Sequence, residues 1–250
     1  MMTRLLILGG TQEAAQLVTQ LAPLPGLEVI ASLAGRLRQP ATPAGTLRVG
    51  GFGGIEGLRT YLREQQIALL IDATHPFASQ ISFYAASAAH ACGLPHLMLV
   101  RPAWVPVAGD RWLAVDSLAA AAAQLPGLAQ RVFLTIGRQE VATFAPLTEL
   151  WFLMRMIDPP TPTIPMPPGL LLLERGPFTL AHERQLLHTH AIEAIVSKNS
   201  GGPATDAKLH AARELGLPVL MVQRPALPES VHVTDVAQAY QWVVTQLARA

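Results

Sequence analysis

The sequence predicts an α/β chain of two similar domains, each a doubly wound parallel sheet with helices on both faces. Three observations predict it. Short apolar runs alternate with longer amphipathic stretches, the pattern of parallel strands joined by helical crossovers. The landmarks of the first half return, in order, in the second. Turns rich in Gly and small polar residues follow the apolar runs, where an open parallel sheet presents its ligand-facing edge.

Taken in order, Arg4 to Leu8 reads as a buried strand, and Gln12 to Leu21 as a helix with Ala14, Leu17, Val18 and Leu21 on one face. Leu27 to Ser32 is a second strand. Ile55 to Glu64 is helical, Ala68 to Ile71 a strand, Ala78 to Cys92 a helix and His96 to Leu99 a strand.

The second half repeats these signals. Arg4 to Glu13 aligns with Arg131 to Glu140, and Gly9-Gly10-Thr11 thereby with the turn around Gly137. Gly51-Phe52-Gly53 aligns with Gly176-Pro177-Phe178, and Ile67 to Ile71 with Ile192 to Val196. Gly93 to Trp104 aligns with Gly216 to Leu227, with eight of twelve positions identical. Val115-Asp116 before an Ala-rich helix resembles Thr234-Asp235 before the last helix. The reading is two Rossmann-like domains, residues 1–127 and 128–250, flanking a cleft. A terminal strand packing onto the neighbouring domain is compatible with the same sequence. Ligands of such sheets sit beyond the carboxyl ends of the strands, so two edges suit a cofactor and a substrate.

Composition narrows the function. Half of the 250 residues are hydrophobic and 14% are charged, which fits packed cores rather than disorder. A formal net charge of +1 offers no global field for nucleic acid or an anionic membrane. Cys92, the single cysteine, excludes an intrachain disulfide and argues against a Cys-based zinc site. No long uncharged apolar run and no signal-peptide pattern occur, so a cytoplasmic protein without bound metal is expected.

Five turns carry candidate chemistry. In Gly9-Gly10-Thr11-Gln12-Glu13 two glycines allow a tight turn and close approach of a phosphate to a helix N-terminus. The run departs from Gly-x-Gly-x-x-Gly, and a purely structural turn is the competing reading. Ser32 to Arg36 follows the second strand. NAD enzymes place an acid there, whereas an Arg accommodates the 2′-phosphate of NADP; Arg36 without an intervening carboxylate therefore favours NADPH. In Asp72-Ala73-Thr74-His75-Pro76, Pro76 keeps His75 out of helical geometry and leaves its imidazole at the sheet edge. Arg138, after Gly137, replaces a small residue and suits carboxylate or phosphate recognition, with pairing to Glu140 as the alternative. Lys198-Asn199-Ser200-Gly201-Gly202, followed by Pro203 and Thr205, gathers a Lys and hydrogen-bonding groups in a glycine turn. Pro203 suits the first position of the following helix. No nucleophile elbow, zinc-protease motif or P-loop is present.

Seven stretches, in order, resemble the precorrin-6A reductase family of cobalamin biosynthesis. They are Leu6 to Ala14, Ser32 to Arg36, Arg48 to Gly54, Asp72 to Ala78, Thr135 to Arg138, Arg175 to Phe178 and Lys198 to Gly202. The resemblance spans residues 4–228, and it implies two Rossmann-like domains and an NADPH-dependent reduction of one ring double bond of precorrin-6A to give precorrin-6B. A branch of the family acts on the cobalt-containing ring, and this remains the alternative. The resemblance implies Gly9, Gly10, Thr11, Ser32, Arg36 and Thr74 toward NADPH. Toward the polycarboxylate tetrapyrrole it implies Arg138, Asn199, Ser200, Gly201, Gly202 and Thr205, with Lys198 or His75 as proton donor. Other enzymes of the pathway are the protein partners to expect. An S-adenosylmethionine-dependent methyltransferase and a non-catalytic nucleotide-binding module are the rival readings of the same architecture.

Overall fold

The computed structural model describes residues 2–35 and 45–249. Arg36, the candidate 2′-phosphate ligand, lies outside the described residues. The chain divides into two compact units, residues 2–35, 45–102 and 225–249 forming the first and 103–224 the second.

The first unit is a six-stranded, all-parallel sheet. Its strands are β1 (Thr3–Leu8), β2 (Leu27–Leu33), β3 (Thr46–Val49), β4 (Leu69–Asp72), β5 (His96–Leu99) and β12 (Val231–Val233), the last numbered by its place in the chain. Across the sheet the order is β3-β2-β1-β4-β5-β12. Numbered within the unit this is 3-2-1-4-5-6, the dinucleotide-binding order, in which the winding reverses between β1 and β4.

The doubly wound core follows from alternation along each strand. Leu5, Ile7, Val29, Ala31, Leu69, Ile71, Leu97 and Leu99 form one face, covered by α1 (Gln12–Leu21) and α7 (Val236–Leu247). Leu6, Leu8, Ile30 and Leu70 form the other, covered by α2 (Ile55–Glu64) and α3 (Ser79–Cys92). Period-two alternation with apolar residues on both faces is what burial between two helical layers requires. Trp242 on α7 packs against the first cluster, as a core residue does.

The second unit has the same plan. Its strands are β6 (Arg111–Val115), β7 (Arg131–Thr135), β8 (Trp151–Met156), β9 (Gly169–Leu173), β10 (Ala194–Lys198) and β11 (Pro218–Val222). They lie in the order β9-β8-β7-β10-β11-β6, so the reversal falls between β7 and β10. Helices α5 (Leu180–Thr189) and α6 (Ala207–Glu214) cover Phe133, Leu153, Ile195, Val219 and Met221. Helix α4 (Leu118–Gln124) contacts β6 and β11.

Two sequence expectations are corrected here. The division at residue 127 does not separate the sheets, because the sixth strand and following helix are exchanged. β6 pairs with β11 (Val115 beside Val222), whereas β12 pairs with β5 (Val233 beside Leu99). The repeat follows chain order, but sheet membership is set by hydrogen bonding between distant segments. Each exchange follows an Arg-Pro-Ala run at 101–103 or 224–226, in segments that carry no strand. The turn after β7 leads into a single 3₁₀ turn (Val141–Phe144). Finally, α6 begins at Ala207 rather than at Pro203, so Pro203 to Thr205 belong to the turn.

Candidate functional site

At the reversal point of the first unit, the turns after β1 and β4 meet. Gly10 has φ +114°, a conformation that favours glycine, and a Cβ there would meet none of the described residues within 4 Å. Gly9 is closely packed instead: an added Cβ would lie 3.3 Å from Ala14 Cβ. The Gly9 amide donates to Ser32 O at 2.9 Å, which sets the turn against the end of β2. Thr11 caps α1, its Oγ1 accepting from the Ala14 amide at 3.1 Å and donating to Ala73 O at 2.8 Å. One hydroxyl thus orders the helix start and joins the two turns. Thr74 is held by Asp72, whose Oδ1 accepts from the Thr74 amide (3.0 Å) and hydroxyl (2.6 Å). Asp72 itself is buried, and its Oδ2 accepts no hydrogen bond from the described residues. His75 Nδ1 accepts from the Phe77 amide at 3.2 Å, which places the proton of a neutral imidazole on Nε2.

Two charged residues here escaped the sequence reading as site residues. Glu13, in the first turn of α1, puts a carboxylate where a helix N-terminus attracts anions. Arg101, just past β5, donates to Glu13 at 2.8 Å with both side chains largely buried. Together with Thr11, Thr74, Pro76 and Leu99 they line a small recess. The ion pair compensates the charge of the acid and leaves the exposed backbone of Gly10 beside the N-terminus of α1. Arg48, beside Ser32 in the β2–β3 register, lies 3.7 Å from the Phe52 ring centroid and donates to Ser32 Oγ (3.3 Å), Gly50 O (2.5 Å) and Gly51 O (2.8 Å). It orders the glycine turn at 50–54 beside Ser32. Both arginines stand in quoted or repeated motifs; the partner of Arg101 is distant in sequence, whereas Arg48 mostly bonds within its own turn.

At the reversal point of the second unit, the turns after β7 and β10 meet through Lys198 and Glu140, whose side chains form an ion pair. Glu140 therefore pairs with Lys198. The neighbouring Arg138 donates to Pro159 O at 3.3 Å. A Cβ at Gly137 would lie 3.1 Å from Glu140 Oε2, so the glycine makes room for this carboxylate. Asn199 is buried, with its Oδ1 accepting from the Trp104 amide (2.8 Å) and its Nδ2 donating to Trp104 O (3.1 Å). Trp104 Nε1 donates to Gly202 O at 3.0 Å. Gly201 and Gly202 both adopt positive φ, +70° and +80°. Arg224 donates to Asn199 O and Ser200 O at 2.8 and 3.0 Å. Ser200's amide donates to Lys198 O at 2.7 Å, and Thr205 O accepts from Lys208 Nζ at 2.5 Å. The side chain of Asn199 thus serves the turn, and Lys198, Ser200 and Arg138 are the polar groups at the strand ends.

The sequence-derived residues therefore fall into two sets. Gly9, Gly10, Thr11, Ser32, Thr74 and His75 share the edge of the first unit. Arg138, Lys198, Asn199, Ser200, Gly201, Gly202 and Thr205 share that of the second. Among the described residues no group of three or more His, Cys, Asp or Glu is placed to hold a metal, and no helix is long and apolar enough to cross a membrane.

Known proteins are similar to this chain in sequence and fold. A family model described as precorrin-6x reductase CbiJ/CobK matches residues 4–244. A precorrin-6A reductase of Rhodococcus erythropolis is 53% identical over 249 residues, covering 99% of this chain and 100% of that protein. One of Mycobacterium tuberculosis is 46% identical over 243 residues, 97% of this chain and 98% of that protein. The solved structure of CobK precorrin-6A reductase matches with a TM-score of 0.91 at 42% identity, covering 98% of this chain and 97% of that one. Matches of this extent, on a fold of this order, make the chain a member of the precorrin-6x reductase family.

Proposed function

We propose that the chain reduces one double bond of precorrin-6A to give precorrin-6B in cobalamin biosynthesis, with NADPH as reductant. Full-length identity to precorrin-6A reductases carries this reading, and the names of those relatives favour the cobalt-free ring.

The first unit suits the dinucleotide. Its strand order, the open space over Gly10 and the neutralised Glu13 fit a pyrophosphate at the N-terminus of α1. Gly9, Gly10 and Thr11 would hold the phosphates, and Thr74 would face the same recess. Ser32 lies near the end of β2 and Arg36 comes after it in the sequence, and the absence of an acid in Ser32 to Arg36 suits a 2′-phosphate. When bound, NADPH supplies the hydride.

The residues of the second unit suit the substrate. Its carboxylate arms call for fixed cations and donors, which Arg138, Lys198, Ser200 and Thr205 provide. Reduction adds a hydride to one atom of the double bond and a proton to the other. The Lys198 ammonium, held by Glu140, and His75, with its proton on Nε2, are the two groups assigned to that proton. The protein's larger contribution is to position the ring and exclude competing chemistry.

Calorimetric titration with NADPH and NADH, on the native chain and on Arg36→Ala, tests the cofactor assignment. The expected result is a preference for NADPH that Arg36→Ala abolishes. A folded protein that binds neither nucleotide contradicts the reductase reading.

A further inference from the structure

We infer that Lys208 is a positioning residue for the Lys198–Thr205 turn, holding it from beneath through Thr205 and Trp104. The inference rests on the reading of that turn as the substrate-binding edge of the second unit.

Lys208 lies in the first turn of α6 and is 3% exposed. Lysine is almost never buried to this degree without a carboxylate partner. Among the described residues, none lies within ion-pair distance of its ammonium. Nζ instead donates to Thr205 O at 2.5 Å and stands 4.7 Å from the centroid of the Trp104 ring. A buried ammonium over an indole is an attractive contact, stronger when desolvated. Trp104 in turn grips the turn at two further points, its indole N–H on Gly202 O and its peptide on the Asn199 amide. The turn carrying Lys198 is thus fixed at 199, 202 and 205, and Lys208 touches both agents of that fixation.

Fold stability does not account for a lysine here, since a methionine of similar length would fill the space without desolvating a charge. The charged groups around it are Arg155 on β8, Glu183 on α5 and Asp206 just before α6, with Glu174 beyond Arg155. Burial first, and then the Arg155 guanidinium, push the Lys208 pKa down to about 7, against the pull of Glu183 and Asp206. The ammonium's hold on the indole is therefore complete in acid and is lost as pH rises through neutrality. The neutral amine keeps its hydrogen bond to Thr205 O.

The test compares the native chain, Lys208→Met and Lys208→Gln, each with a Trp104→Phe counterpart to isolate Trp104 emission. In the native chain Trp104 emission steps between about pH 6 and pH 8, and Lys208→Met removes the step. Lys208→Met raises KM for the tetrapyrrole about tenfold with kcat changed less than about twofold, the pattern of lost uniform binding. Lys208→Gln, which keeps a donor toward Thr205 O, recovers part of that loss. The thermal midpoint of Lys208→Met is unchanged or higher, which a residue kept for stability would not give. A step without any change in KM leaves Lys208 holding the turn and overturns the substrate reading of that turn. A Lys208→Met chain with the native KM and the native Trp104 emission at every pH overturns the inference itself, and Lys208→Gln provides the same comparison if Lys208→Met does not fold.

Discussion

Arg101→Met tests the turn after β1 as an anion site. The substitution removes the partner of Glu13 and leaves a carboxylate in the first turn of α1. An anion at a helix N-terminus gains about 0.3–1 kcal/mol when exposed and up to about 2 kcal/mol when partly buried. An uncompensated carboxylate in the same turn acts on a bound phosphate with similar size and opposite sign. Arg101 and Glu13 are 16% and 22% exposed, which places the effect in the upper half of that range, about 1–2 kcal/mol. The dissociation constant for NADPH should then rise by about 5- to 30-fold. Calorimetry at low and high salt provides the assay. The deficit should shrink with salt, because partly exposed charges are screened. Arg101→Met combined with Glu13→Gln should restore affinity to within about threefold, since the repelling charge is gone. A single variant that binds NADPH as the native chain does, in low salt, refutes the placement of the phosphates at this turn.

Three further outcomes are expected. Arg155→Met should cost about 3–5 kcal/mol in urea unfolding, because it strands Glu183, which is fully buried and receives Arg155 at 2.5 and 3.3 Å; a loss below about 1 kcal/mol would contradict this. His96, on β5, is pushed below its ordinary pKa by burial, with Asp72 opposing. The unfolded chain then takes up a proton that the folded one refuses, so stability should fall as pH drops below about 6.5. His96→Gln should flatten that slope in urea titrations between about pH 6.5 and pH 5.5, and an unchanged slope would refute the assignment. Thr11→Ala removes the cap of α1 and the bond to Ala73 O, and should cost about 1–2 kcal/mol of stability while also weakening NADPH binding; an unchanged urea midpoint would contradict the first part.

The first unit was legible in the sequence nearly element by element. Its apolar runs are long enough to be buried on both faces, and Thr11, Gly93 and Gly10 mark helix and turn boundaries by local chemistry. The second unit was less so. Pro203 stands in a turn that Trp104 and Lys208 hold, rather than at the start of the following helix. The exchange of β6 and β12 left no mark in the repeat, because identical Arg-Pro-Ala runs lead into both. Backbone-driven site residues, such as Gly10, Thr11 and Gly201, announce themselves by turn chemistry. The ion pairs do not: Arg101 and Glu13 are 88 residues apart, Lys198 and Glu140 58 apart, and only the parallel pairing of strands brings each pair to one edge.

The most direct measurement is anaerobic incubation of the purified chain with precorrin-6A and NADPH, followed by absorbance of the nicotinamide and the mass of the tetrapyrrole. One NADPH should be consumed for each ring that gains two hydrogens, with NADH a far poorer reductant. A folded chain that binds NADPH yet leaves the ring's mass unchanged would contradict the proposed reaction and favour a nucleotide-binding module.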